Sequence, residues 1–228
     1  MKGTWHRWLL AGLFLTAMAA GTGCNMLSLP FFLLPGMEPK TPAKCKLASE
    51  DKEKEVRVGI LAAAGLETRP EFLRVDKELS LLLARQLQEN FKTNKEKVTI
   101  VSTSQVEKYK DEHPNWHAMP SAEIGKYFDT DYVIDLTINS VTLYERGSSN
   151  LLFRGRASIS LDVVDVNKPK EDPIYEEEYT VEYPRQGPIS ASDSNSNPAQ
   201  FRLAFLTKVA QELSWHFTAH PQDDMKFD

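Results

Sequence analysis

Cysteine is scarce in this 228-residue chain, which holds only Cys24 and Cys45. Two such residues supply neither a disulfide framework nor the clustered spacing of a zinc or redox motif. Basic charge is not in excess either: 27 Lys and Arg stand against 32 Asp and Glu, for a net charge of -5. A dedicated nucleic-acid binder carries a basic stripe, so nucleic acid is not expected as a partner. Catalytic signatures are missing as well. There is no glycine-rich phosphate loop, no nucleophile elbow and no zinc-binding helix. Ser102 and Ser104 lack a histidine–carboxylate pair to activate them. The expectation is a chain with no cofactor, no metal and no enzymatic activity. What is present is an ordinary apolar share of 41%, enough for one packed domain plus a leader.

The leader is the most informative stretch. Lys2, His6 and Arg7 form a positive head, Trp8 to Ala20 is apolar, and Gly21, Thr22 and Gly23 are small residues set directly before Cys24. A charged head, an apolar run of about 7–15 residues and a small-residue cleavage site make a signal peptide. With cysteine next, the stretch resembles the bacterial lipoprotein box, in which cleavage precedes a cysteine that carries diacylglycerol. Gly21 stands where that box has an aliphatic residue. The resemblance implies a signal peptide over 1–23 and Cys24 as the lipidation site. Three other readings stay open. A Cys24–Cys45 disulfide would need the thiol that lipidation consumes. Simple secretion would leave Cys24 free. An uncleaved span would need about 20 apolar residues; Met26 to Leu34 could lengthen the run, but Gly21, Gly23, Asn25 and Pro30 interrupt it. In the enterobacterial lipoproteins among those that this stretch resembles, an aspartate after the cysteine favours inner-membrane retention; Asn25 stands there instead, so the resemblance implies the outer membrane, facing the periplasm, over the inner membrane.

Residues 24–54 read as a lipid anchor and tether. Pro30, Pro35, Gly36, Pro39 and Pro42 forbid a continuous helix or central strand. Its first half is apolar, and Lys40 to Lys54 is charged and expected in solvent.

The domain is expected over 55–220, with a polar tail at 221–228. Val56, Val58 and Ile60 alternate and lead into the apolar run Leu61 to Ala64, a strand buried on both faces. Asp76 is placed to cap a helix whose Leu79, Leu82, Leu83, Leu87 and Phe91 share one face. Val98 to Val101 is a short strand. Ser102 to Ser104 precede a helix over 105–112, and Ser121 is placed to cap another that reaches Phe128. A long strand follows, with Tyr132, Ile134, Leu136 and Ile138 on one face and Val133, Asp135, Thr137, Asn139 and Val141 on the other. The next strand puts Leu151, Phe153, Ala157, Ile159, Leu161 and Val163 on its dry face, against Arg154, Arg156, Ser158, Ser160 and Asp162. A third carries Tyr175, Tyr179, Val181 and Tyr183 against Glu176, Glu178, Thr180 and Glu182. Pro184 to Pro198 is a polar loop. A last helix from about Ala199 presents Leu203, Leu206, Ala210, Leu213 and Phe217. The order β-α-β-α-α-β-β-β-α predicts an α/β (α+β) single domain. Its mixed sheet has about five strands, including an antiparallel three-strand meander, and two main helices cover it.

Val56-Arg-Val-Gly-Ile60, the leucine-rich helix, Glu123-Ile-Gly-Lys126, Thr130-Asp-Tyr-Val-Ile134 and Val163-Val-Asp165 together resemble the TolB amino-terminal-domain-like family. Its relatives include the curli secretion lipoprotein and lipoprotein activators of penicillin-binding proteins. The resemblance implies a non-enzymatic, lipid-anchored envelope domain that binds a protein partner in an assembly, transport-accessory or activator role. It implies no catalytic residue.

Candidate sites follow from the residues. Tyr175, Glu176, Glu177, Glu178 and Tyr179 form an acidic, aromatic strip that could dock a protein partner, or simply a solvated edge that deters strand pairing. Arg154 and Arg156 could pair with Glu176 or Glu178. Asp129, Asp131 and Asp135 could gather around calcium, or serve as turn residues, with Asp135 on the wet face or paired with an arginine across the hairpin. His113 and His117 are four apart, but Pro114 breaks the helix that would align them on a metal. The alternative function is small-ligand or glycan binding, in a pocket built from Trp116, Tyr144, Tyr175 and Tyr179.

Overall fold

A computed structural model describes residues 40–51, 53–65, 72–168, 173–192 and 197–222. The chain divides into units spanning Met1–Lys40 and Thr41–Asp228, and apart from Lys40 the described residues belong to the second. The leader over 1–23, Cys24 and residues 223–228 of the tail lie outside the described residues.

The main sheet has six strands. In chain order these are β1 (Val56–Ala64), β2 (Val98–Ile100), β3 (Tyr132–Tyr144), β4 (Leu152–Asp165), β5 (Tyr175–Tyr183) and β6 (Ile189–Ser190). The spatial order is β2-β1-β3-β4-β5, with β6 pairing the start of β4. β1 is parallel to both β2 and β3, and the β3–β4 and β4–β5 pairs are antiparallel. The mixed sheet and the meander are as expected. β6 was not expected: it lies inside the polar loop, where Ile189 pairs with Phe153.

Helices α1 (Val75–Asn94) and α4 (Pro198–Ser214) cover one face of the sheet. Val75, Leu79, Leu83, Leu87 and Phe91 recur every fourth residue on α1 and are buried. They meet Val58, Ile60, Ile134, Leu136, Ile159 and Leu161, the inward residues of the central strands. α1 begins one residue before Asp76, which sits in the first turn, where its charge complements the helix dipole. It ends at left-handed Lys95, and the N–H of Glu96 donates to the Phe91 carbonyl at 2.8 Å. Asn197 caps α4 by accepting from the N–H groups of Ala199 and Gln200, ahead of Pro198.

The opposite face is covered only at one end. Helices α2 (Thr103–Glu112) and α3 (Ser121–Tyr127) close a second, smaller core there, with Leu61, Val106, Ile124, Val133 and Val166. The rest of that face, along β3, β4 and β5, is polar.

Four face assignments differ from the sequence pattern. Ile138 pairs with Ile159 and Ser140 with Ser158, so Asn139 is an extra residue, a β-bulge. The bulge reverses the phase of β3, and Val141 and Leu143 join the α1/α4 core instead of the Val133 face. Leu151 precedes β4 and is 63% exposed. Leu203 is 58% exposed, because the buried stripe of α4 is set by Phe201, Phe205, Leu206 and Val209. Finally, the charged stretch after Lys40 is not wholly in solvent: Cys45 and Leu47 enter the main core.

α4 lies very close to β4 at one point. A Cβ on Gly155 would stand 2.5 Å from the ring of Phe205, which is fully buried. Phe205 therefore uses the space that any other residue at 155 would fill. Gly155→Ala is expected to destabilise the fold by about 1–3 kcal/mol through overpacking. Paired with Phe205→Leu, it should cost less than the sum of the two single changes. Urea unfolding of the three variants checks both statements.

Candidate functional site

β5 is an edge strand, as the acidic run suggested, but the run is not one surface. Odd-numbered residues of β5 face α4 and even-numbered residues face the polar side. Tyr175, Glu177 and Tyr179 therefore point under the helix. Tyr179 Oη donates to Glu212 Oε2 at 2.7 Å, and Arg185 donates to Glu212 Oε1 at 2.6 Å. Tyr175 Oη donates to Glu177, which also accepts from Lys44 Nζ at 2.7 Å. Glu178 faces the other way, accepting from Ser160 Oγ at 2.5 Å and Asn139 Nδ2 at 3.3 Å. The proposed docking strip is thus divided, and both of its tyrosines are engaged inside the molecule.

His216 completes the inner cluster. Its Nδ1 lies 2.9 Å from Tyr175 Oη and 3.3 Å from Glu177 Oε2. The single phenolic proton goes to Glu177, so Nδ1 carries a hydrogen and donates to the phenol oxygen. Burial, seconded by the nearby Lys44 ammonium, pulls the His216 pKa down to about 4. The imidazole is therefore neutral at pH 7, and its contact with Glu177 is not an ion pair. Burial works against the Glu177 carboxylate, but the bonds from Lys44 and Tyr175 hold it below its ordinary value. Burial and the Glu177 bond push the Tyr175 phenol up. The N–H of Cys45 donates to the His216 carbonyl at 2.8 Å, and burial raises its thiol to about 11, so it is an inert core residue. The whole cluster acts as a latch that fastens the Lys44–Cys45 segment to β5 and to the end of α4.

The other sequence candidates separate. Arg154 and Arg156 do not pair with Glu176 or Glu178. Arg156 stands directly opposite Glu182 in the β4–β5 register and bonds it at 2.8 Å. Arg154 reaches the same carboxylate at 2.7 Å, and both arginines contact Glu145, at 3.3 and 2.9 Å. Glu176 instead lies opposite Asp162, which lies opposite Asp135. Burial and then the neighbouring carboxylates raise the Asp162 pKa. Among the described residues Asp135 has no arginine partner; it accepts from Ser121 Oγ at 2.5 Å, so Ser121 does not cap α3. Asp131 accepts from the N–H of Arg57 at 2.9 Å, while Asp129 is exposed, with Arg57 at 4.0 Å. Asp129 and Asp131 both meet Arg57 while Asp135 bonds Ser121, and among the described residues no group of acids, histidines and cysteines is arranged to hold a metal. His113 stacks on Tyr109 at 4.1 Å and His117 lies against Trp116 at 3.7 Å, so the two histidines face different rings. Trp116 is buried beneath Lys110, and Tyr144 stacks on Phe153 in the main core. Trp116, Tyr144, Tyr175 and Tyr179 therefore do not line one pocket.

A different set of residues forms a depression on the α2/α3 side. One hollow of about 440 Å³ is walled by Tyr109, Tyr127 and Phe128, with Gln105, Lys108 and Glu112 along its rim. A second, of about 600 Å³, adjoins it at Arg57, Gln105 and Asp129, and continues past Ser102 to Asn167. The frame beneath is tight. A Cβ on Gly125 would stand 2.5 Å from the Val166 side chain and 2.7 Å from that of Val133, so α3 rests on these valines with no side chain of its own at the crossing. Buried Thr130 donates to the Gly125 carbonyl at 3.0 Å, and the N–H of Asp131 donates to the Arg57 carbonyl at 2.7 Å. These contacts fix the turn that carries Tyr127 and Phe128. Tyr127 packs on Tyr109 at 4.7 Å and on Phe128 at 5.0 Å, yet remains 64% exposed. The sequence signal for this site was the Tyr127–Phe128 pair ahead of the strongest strand; Tyr109 was hidden within a short amphipathic helix.

No family model matches the chain, and no curated protein matches it. Among solved structures it is similar to the PelC dodecamer from Paraburkholderia phytofirmans, with a TM-score of 0.44 and 11% identity over 80% of this chain and 99% of that one. It is similar to the lipoprotein GNA1162 from Neisseria meningitidis, at 0.42 and 12%, over 69% and 98%. It is similar also to a protein from Xanthomonas campestris, at 0.43 and 13%, over 76% and 90%.

The latch has a signature in acid. Folded His216 binds its proton only near pH 4, whereas the unfolded side chain binds it near 6.5. Between those values the unfolded state holds more protons, so this residue's contribution to stability falls as pH drops from 6.5 to 4. In a proton NMR titration the His216 ring signal should stay unchanged through pH 6.5 and shift near pH 4. A midpoint near 6.5 would show that the imidazole is not enclosed.

Proposed function

We propose that this protein is a non-enzymatic lipoprotein of the cell envelope, tethered through Cys24, whose α/β domain binds a partner near the membrane surface. The single observation that carries the binding reading is the depression at α2 and α3. It pairs an exposed ring on a rigid frame with polar side chains around it, the usual make-up of a recognition site. The anchor rests on the leader: a positive head, an apolar run and Gly21, Thr22 and Gly23 before Cys24. The latch supports the tethered arrangement, since it gives the end of the tether a fixed attachment at Lys44 and Cys45.

The resemblance to the TolB amino-terminal-domain-like family favours a protein partner, in assembly, transport or activation of another envelope component, and Asn25 after the lipoprotein-box cysteine favours the outer membrane as the site. Tyr175 and Tyr179 are engaged with Glu177 and Glu212, so of the β5 strip it is Glu176 and Glu178 that stay exposed to a partner. The depression favours a ligand held against aromatic rings, the second reading from the sequence.

Cys24→Ser should release the protein from the membrane fraction and remove the acyl mass from the mature chain. Unchanged mass and fractionation would overturn the lipid anchor. Tyr127→Ala, at an exposed position, should leave the unfolding midpoint within about 0.5 kcal/mol of the parent while weakening whatever the domain binds in cells, read by site-specific crosslinking from Lys108.

A further inference from the structure

We propose that the depression beside α2 and α3 is a binding site for a neutral, linear oligosaccharide. This rests on the reading of the domain as a binding module and names the chemistry of its ligand. Extent is the first argument. Two hollows of about 440 and 600 Å³ share Arg57, Gln105 and Asp129 in their walls and together make a trough with room for several linked rings.

The second argument is the ring at one end. Tyr127 is braced by Tyr109 at 4.7 Å and by Phe128 in an edge-to-face contact at 5.0 Å, and 64% of it remains exposed. A sugar ring has an apolar face of C–H groups, and a fixed aromatic face with solvent on one side is the surface on which it stacks. Fixing the ring beforehand avoids the ordering that a mobile tyrosine would require on binding.

Charge is the third. Glu55, Glu112, Asp129 and Asp131 line the trough against Arg57 and Lys108, which disfavours an anionic polymer. Two of the four carboxylates are already used. Glu55 accepts from the Thr99 hydroxyl, and Asp131 accepts from the N–H of Arg57. Both donors are neutral, so these two carboxylates keep their charge and the trough stays net negative, while the other four groups form two loose pairs: Arg57 with Asp129 at 4.0 Å and Lys108 with Glu112 at 3.7 Å. Loose pairs leave donors and acceptors free to turn to a ligand. Ser102, Gln105 and Asn167 add uncharged groups that both donate and accept, as sugar hydroxyls do. The geometry lacks a deep apolar slot for the side-chain anchor that a docked peptide would use.

The test uses the full mature chain in detergent, titrated calorimetrically with maltotetraose, cellotetraose and chitotetraose. At least one is expected to bind in the micromolar to millimolar range. Tyr127→Ala should weaken it about tenfold, the loss of one stacked ring, and Arg57→Ala should weaken it as well. Leu203→Ala, on the exposed side of α4, should not. The proposal is overturned if none of the three binds, or if binding survives both trough substitutions unchanged. A photo-crosslinker at position 127 in cells then separates the two readings. A crosslinked protein with no sugar binding removes the oligosaccharide and keeps the binding module, whereas no crosslink and no sugar removes both.

Discussion

The fold depends on a sheet whose two faces have unequal needs. The face built from Val58, Ile60, Ile134, Leu136, Ile159 and Leu161 is apolar across every central strand, and leaving it in water would forfeit the main driving force for folding. One helix cannot cover it. α1 lies over the parallel half, α4 closes the antiparallel half, and Arg202 of α4 bonds Glu78 of α1 at 2.5 Å where the two meet. The other face is apolar only where Leu61, Val101 and Val133 stand, and there two short helices suffice. Beyond Asp135 it is lined by groups that water or a neighbouring strand can satisfy. The trough lies at that end, where the small second layer meets the strand ends, and its position follows from where the apolar residues stop.

Rigidity at the trough and rigidity of the fold share a cause. Gly125 lets α3 approach Val133 and Val166, and Gly155 lets Phe205 approach β4, each through the absence of a side chain at a close crossing. The first places the turn bearing Tyr127 and Phe128; the second holds α4, which carries Glu212 to Tyr179. Neither glycine adopts an unusual backbone angle. Their role is steric, and so neither would be picked out by turn-residue reasoning, which looks for glycine between elements rather than inside them.

Most of the architecture was legible because period and length carried it. Leu79, Leu83 and Leu87 mark a helix, and Tyr132 to Ile138 mark a strand, regardless of what packs on them. The failures cluster where a single local event alters the phase. The bulge at Asn139 moved Val141 to the opposite face, and nothing in the composition of β3 announces one extra residue. In α4 the leucines suggested one stripe, but the larger Phe201 and Phe205 claimed the core and left Leu203 outside. The site was less legible still. Tyr109, Tyr127 and Arg57 come from three distant elements, brought together by the parallel pairing of β1 with β3 and by the packing of α2 and α3 on that pair. Sequence spacing had no means of joining them.

The run Glu176-Glu177-Glu178 shows how one composition can carry two different physical roles. In solvent, three successive carboxylates on an edge strand merely repel another strand. Once β5 is paired to β4, the strand period sends Glu177 under α4, where an unpaired carboxylate would be costly. Lys44 and Tyr175 supply its partners, and the Lys44 bond draws the first residues of the folded unit onto the sheet edge. Glu176 and Glu178 keep the outward, repelling role and face Asp162 and Ser160. The acidic edge therefore protects β5 from strand addition on one side and fastens the incoming chain on the other. A ligand site built on this edge would have to break one of those two functions, whereas the trough on the far side of the sheet leaves both intact.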